Sequence, residues 1–239
     1  EPKPVTVIKT EGQVCAARFT PCGRQLVSGG YDGLVHRWDA EADGFPALEP
    51  LAGHGGWVQA VDCHPTDPLL FSADSWGRLS AWAFAEESPK PAWSIEEAHD
   101  GWIRDLAVSP DGKWLATCGR DQVVRTWKTS RGKRLSEATG HDQDVLCLAI
   151  HPDGKTLVTG DLAGRVRQWD RRKKKCIREF DATELHSRLR LQDVGGVRVM
   201  TFSPDGNQLF VAGTRPKNGG NVQGVPLVLV FDFKSGKPA

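Results

Sequence analysis

Apolar and polar positions alternate with a period of two along most of the chain, in short runs bounded by turn residues. VCAARF, VQAVDC, IRDLAV, VLCLAI and VRVMTF are five such runs, and a second run follows each after a turn. Alternation of this kind predicts short β-strands, because successive side chains of a strand point to opposite faces. No helical periodicity persists over a comparable length. The turns repeat as well: TPCGRQL from Thr20, SPDGKWL from Ser109, HPDGKTL from His151, SPDGNQL from Ser203 and a looser HPTDPLL from His64. Proline presets φ, aspartate accepts local backbone N–H groups and glycine takes the positive φ that ends the turn, so each copy predicts a hairpin.

A third run closes each copy: LVHRW, RLSAW, VVRTW and RVRQW end at Trp38, Trp82, Trp127 and Trp169, spaced 44, 45 and 42 residues apart. The period is the roughly 40–45 residues of one four-stranded propeller blade. A fifth copy runs from VRVMTFSPDG to LVLVFDF, with Phe231 standing 62 residues after Trp169. Its extra length is expected as loop, in the linker DATELHSRLRLQDVGG and in TRPKNGGNVQGVP. A four-stranded sheet cannot cover its own faces, and radial repetition solves that while leaving only short edges. The expected fold is therefore all-β, a propeller of four-stranded antiparallel blades with five blades in this chain. They are placed at roughly 11–52, 53–97, 98–139, 140–183 and 193–239 of one unit, with residues 1–10 as an outer strand. VTVIKT at one end and LVLVFDF near the other are complementary, which fits closure of five blades and equally a piece of a larger ring; the larger ring is the expectation taken here.

These residues resemble the WD-repeat family over nearly the whole chain. The opening Gly-His of a family repeat stands at Gly53-His54 and Gly140-His141, with Ala98-His99 as a variant, and the closing Trp-Asp at Trp38-Asp39 and Trp169-Asp170. The resemblance implies a ring of commonly seven blades and, in each blade, a buried set of histidine, serine or threonine, turn aspartate and tryptophan. The third blade matches at all four positions, as His99, Thr117, Asp121 and Trp127. The second offers His54, Ser72 and Trp82 with Trp76 at the aspartate position, and the fourth His141, Thr159 and Trp169 with Ala163 there. The first keeps Ser28, Asp32 and Trp38 but has Thr10 for the histidine. On this reading the histidines are structural, since a catalytic base has no reason to recur in every blade.

The family also implies that loops entering the inner strands, and turns between second and third strands, form the face around the central channel. Trp57 and Trp102 stand at matching places directly before two inner strands, with Asp144 in that place in the fourth blade, and Tyr31, Trp76 and Arg120 come from the second turns. Aromatics and arginine are enriched at binding hot spots, so these six residues are the candidate site for a protein or peptide partner. A rival reading makes Trp57 and Trp102 covered caps on blade cores.

Composition narrows the alternatives. Lysine and arginine number 31 against 30 acidic residues, so no global field favours nucleic acid or an anionic membrane. The basic run Arg171 to Lys175 is the one local candidate for nucleic acid, and a solvated turn is its plainer reading, because no aromatics interleave the charges. Six scattered cysteines have no metal-ligand spacing, and no stretch nears the roughly 20 apolar residues of a membrane helix. No metal or cofactor is expected, the thiols fit a reducing, cytoplasmic setting, and membrane association is not expected. Gly154-Lys155-Thr156 has the tail of a phosphate loop, but Ala149 replaces the required upstream glycine and a hairpin offers no helix N-terminus. An enzyme or small-molecule binder at the channel mouth would need convergent acids or histidines beyond the repeated set, and none is evident.

Overall fold

The computed structural model describes residues 6–84, 90–171, 173, 175–189, 192–217 and 224–239. Strand follows strand throughout, and the chain divides into two compact units, Glu1–Ile103 with Thr129–Gly132, and Arg104–Lys128 with Lys133–Ala239.

The first unit holds two four-stranded antiparallel sheets in chain order. One is β1 (Val14–Phe19), β2 (Gln25–Gly30), β3 (Leu34–Asp39) and β4 (Ala47–Ala52); the other is β5 (Val58–Cys63), β6 (Leu69–Asp74), β7 (Leu79–Ala83) and β8 (Pro91–Ile95). Val27, Val35 and Leu51 of the first sheet meet Val58, Val61, Leu70 and Trp82 of the second in one apolar core. Burying these side chains stabilises the packing by about 1.5–3 kcal/mol each relative to exposure. The central strands β2 and β6 are mostly buried, whereas the outer β8 is largely exposed. Strand β1 also leaves Val14 and Phe19 exposed.

The second unit repeats the plan. Strands β9 (Ile103–Val108), β10 (Trp114–Gly119), β11 (Val124–Lys128) and β12 (Arg134–Ala138) form one sheet, and β13 (Val145–Ile150), β14 (Thr156–Asp161), β15 (Arg165–Asp170) and β16 (Lys175–Asp181) the next. The fifth copy is a three-stranded sheet of β19 (Val197–Phe202), β20 (Gln208–Pro216) and β21 (Gly224–Asp232). The same irregularity marks the inner strands at Val14/Ala16, Val58/Ala60, Val145/Cys147 and Val197/Val199, a bulge that increases local twist where each sheet begins.

The linker expected as loop is partly ordered. After a short 3-10 turn, Thr183–Leu185, strands β17 (His186–Leu189) and β18 (Gln192–Gly195) pair as a hairpin. Leu185 is fully buried, His186 bonds Asp193 at 2.8 Å, and Gly195 has so close an approach to the Leu185 carbonyl that a Cβ there would lie 2.0 Å from it. These long-range contacts, invisible in the Gly- and charge-rich sequence, hold the segment. The second insertion, also expected as loop, is strand at both ends, with Thr214, Arg215 and Pro216 paired to Pro226, Val225 and Gly224, while residues 218–223 lie outside the described residues, as do 1–5 of the expected outer strand; Thr6–Thr10 have no strand assignment.

Candidate functional site

In the second sheet the repeated polar set is closed by hydrogen bonds. The Trp82 indole N–H donates to Ser72 Oγ at 2.7 Å, Ser72 Oγ meets His54 Nε2 at 2.6 Å, and His54 Nδ1 meets Asp74 Oδ2 at 2.9 Å. The fourth sheet has the same chain: Trp169 to Thr159 at 2.7 Å, Thr159 to His141 at 2.7 Å, His141 to Asp161 at 2.7 Å. A neutral imidazole satisfies every member if the hydroxyl donates to Nε2 and Nδ1–H donates to the carboxylate.

The acid in both sets differs from the sequence expectation. Trp76 and Ala163 do not leave these sheets without an aspartate; Asp74 and Asp161 supply it, two residues earlier. The turns explain the shift. Gly33 N–H bonds Gly30 O and Gln122 N–H bonds Gly119 O, so Asp32 and Asp121 sit at the third residue of their turns. Gly77 N–H bonds Asp74 O and Gly164 N–H bonds Asp161 O, so these acids are the first residue. From there Asp74 Oδ1 caps Trp76 N–H and Arg78 N–H, each at 2.9 Å, which leaves Oδ2 for the histidine. Burial pushes the Asp74 carboxyl up, but the bonds from His54 and the turn amides outweigh it and hold it below the usual range. Ser72-Ala73-Asp74 and Thr159-Gly160-Asp161 carry the signal that would have found both acids.

The third set is divided between the units: His99 is buried in the first. In the second, Trp127 donates to Thr117 at 2.8 Å and Asp121 pairs with Arg125 at 2.5 Å. In the first sheet Thr10 bonds Gly12 locally, Asp32 turns to His36 at 2.6 Å, and the buried Ser28 hydroxyl has no hydrogen-bond partner among the described residues. An orphaned hydroxyl gives nothing back for its desolvation, so Ser28→Ala is expected to be neutral or to stabilise by up to about 1 kcal/mol. Denaturant melts check this; a loss of stability would show that Ser28 has a partner.

Ser72, His54 and Asp74 follow the hydrogen-bond order of a serine nucleophile, its base and an orienting acid. The surroundings make that chemistry unavailable. Ser72 is fully buried, the side chains of His54 and Asp74 are equally so, and the serine oxygen already accepts the Trp82 N–H. No substrate carbonyl can reach it.

Four of the six candidate site residues meet in the first unit. Tyr31 stacks on Trp57 with centroids 4.2 Å apart and planes at 7°, and Trp57 meets Trp102 edge-on at 5.4 Å and 80°. Tyr31 and Trp57 are 40% and 38% exposed and Trp76 is 71% exposed, while Trp102 is partly buried. The backbone fixes these rings. Trp57 N–H bonds Ser75 Oγ at 3.0 Å and Ser75 N–H returns to Trp57 O at 2.9 Å. Trp76 lies against Gly55 and Gly56, where a Cβ would stand 2.7 and 2.8 Å from the indole, so only glycine lets the ring rest there. Together the rings line a cleft of about 330 Å³ with Asp32 at its wall. Arg120 and Asp144 belong to the second unit; Arg120 is exposed and Asp144 pairs with Arg104 at 3.6 Å.

The matches to known proteins agree with the repeat. The family described as WD domain, G-beta repeat matches residues 2–39, 47–82, 90–128 and 132–170, well over half of the chain. The chain belongs to the WD-repeat family. Among similar proteins, nuclear distribution protein nudF of Aspergillus niger is 29% identical over 58% of this chain and 29% of its own length. Histone acetyltransferase type B subunit 2 of Candida glabrata is 29% identical over 52% of this chain and 32% of its own. The probable cytosolic iron-sulfur protein assembly protein Ciao1 of Culex quinquefasciatus is 32% identical over 38% of this chain and 28% of its own. The chain thus spans about a third or less of the length of these relatives. WD-repeat proteins are typically protein-interaction scaffolds, generally without enzymatic activity.

In the basic run, Arg171 lies over the Trp114 ring at 5.1 Å and Lys173 Nζ is 3.8 Å from Asp170, while Arg172 and Lys174 lie outside the described residues. Gly154 belongs to the hairpin turn between β13 and β14. All six cysteines are free, and burial pushes the Cys63 thiol up to about 12, which makes it unreactive. Among the described residues no three acids, histidines or cysteines are grouped to hold a metal, and no helix is long and apolar enough to cross a membrane.

Proposed function

We propose that this WD-repeat chain is a non-enzymatic scaffold that docks a protein or peptide partner on the surface formed by Tyr31, Trp57, Trp76 and Trp102. The observation that carries the proposal is the contact of Tyr31, Trp57 and Trp102 with Trp76 lining the same cleft, three of the four rings being substantially exposed. Large aromatic area held in place by backbone bonds costs little conformational entropy on binding, and tryptophan and tyrosine dominate hot spots for that reason. Arg120, exposed in the second unit, is a further candidate contact. The hydroxyl–His–Asp sets, buried and closed to a substrate, favour binding over catalysis.

The test is the dissociation constant of a captured partner. Trp57→Ala or Trp76→Ala is expected to weaken it about 30-fold, equivalent to about 2 kcal/mol, with the fold intact. Phe19→Ala removes another exposed aromatic, at the opposite end of β1, and should leave binding unchanged. Equal affinities for all three variants would remove the surface from the function.

A further inference from the structure

The cleft beside the aromatic cluster has a chemistry more specific than apolar docking. Its walls are aromatic, and the face of an aromatic ring is the negative end of its quadrupole. Its one formal charge among the described lining residues is the Asp32 carboxylate; no lysine or arginine lines it. Asp32 Oδ2 takes His36 Nε2 and Oδ1 takes the Leu34 N–H at 3.1 Å, and each oxygen keeps a second acceptor site. Burial pushes this carboxyl up, yet the bonds from His36 and the turn amide outweigh burial and hold it below the usual range, so it stays ionised at neutral pH.

The aromatic rings and the Asp32 carboxylate of that lining are complementary to a cation, the His54 imidazole that also lines it has both ring nitrogens engaged by Asp74 and Ser72, and the shape selects among cations. Trp76 has one face pinned against the Gly55–Gly56 backbone and remains 71% exposed, so a flat face is open to the ligand. A guanidinium is planar, weakly hydrated and able to stack on an indole while forking hydrogen bonds to a carboxylate; an ammonium is a compact, strongly hydrated point charge. We propose that the cleft takes an arginine side chain of the partner polypeptide, stacked on Trp76 and paired with Asp32. This rests on the aromatic surface being the docking site, and it names the residue the partner must bring.

The probes are acetylated, amidated pentapeptides with arginine, citrulline, lysine or trimethyllysine between glycines. They are titrated into the full chain carrying 5-fluorotryptophan and read by fluorine NMR, with the Trp76 signal assigned by its loss in Trp76→Phe. The arginine peptide is expected to shift the Trp76 signal saturably and to bind about tenfold more tightly than its neutral citrulline counterpart. Asp32→Asn, which keeps the shape and the Oδ1 acceptor for Leu34, should weaken the arginine peptide and leave citrulline unaffected. No saturable shift, equal binding of citrulline, or tighter binding of lysine or trimethyllysine would overturn the proposal. A partner weakened by Trp76→Ala while the arginine peptide is silent removes arginine as the ligand but keeps the docking surface. Arginine binding with a partner indifferent to Trp57→Ala and Trp76→Ala keeps the cleft's specificity but removes the partner reading, and so overturns the proposal as stated.

Discussion

Replacing Asp74 by alanine is expected to cost about 3 kcal/mol of stability, since it breaks a buried charged network and strands its donors. The carboxylate, fully buried, serves three partners: His54 Nδ1, Trp76 N–H and Arg78 N–H. Alanine leaves the imidazole N–H without an acceptor and uncaps the turn that carries Trp76. The pH dependence gives a second readout. The folded carboxyl lies below its unfolded value, so its contribution is complete above about pH 4 and is lost as pH falls through the folded value. The wild-type chain should therefore lose stability relative to Asp74→Ala as pH drops below about 4. A loss under about 1 kcal/mol at neutral pH, or parallel pH profiles, would show that Asp74 does not hold the set.

Trp82→Ala is expected to cost more, about 4 kcal/mol, within the range for a fully buried large aromatic. Trp82 is completely buried, belongs to the core joining the two sheets of the first unit, and donates its indole N–H to Ser72. Trp82→Phe keeps most of the volume and should lose less than half as much, through the unfilled space and the weakened serine bond. Denaturant melts of the two variants separate volume from hydrogen bonding; equal losses would assign the whole effect to the bond.

The strands, hairpins and closing tryptophans were legible because each rests on local chemistry: period-two alternation, proline and glycine in turns, and a fixed interval. The acids of the second and fourth sheets were not read, because Asp74 and Asp161 open their turns whereas Asp32 and Asp121, which set the expected position, stand third in theirs. The Ser/Thr-x-Asp spacing marks Asp74 and Asp161, and the fold shows them bonding the histidines of their sets, whereas Asp32 bonds His36 and Asp121 pairs with Arg125. Likewise Asp32 pairs with His36 four residues on, and Ser28 has no set histidine because Thr10 stands in that place. The linker hairpin depends on burial of Leu185, a contact with no sequence signature. At the candidate site the positions of Tyr31, Trp57, Trp76 and Trp102 could be read from the repeat, but the stacking and the glycine floor under Trp76 could not. Those two features turn four residues of the right type into one surface.

Site-specific photo-crosslinking tests that surface most directly. A benzophenone amino acid is placed at position 76, which is exposed beside the cleft, and separately at position 19, exposed at the far end of the first sheet. Irradiation of each chain at a partner concentration well above the dissociation constant expected when Trp76 is lost, followed by mass spectrometry, reads which surface the partner occupies. A covalent adduct is expected from position 76 and none from position 19. An adduct from position 19 alone would contradict it.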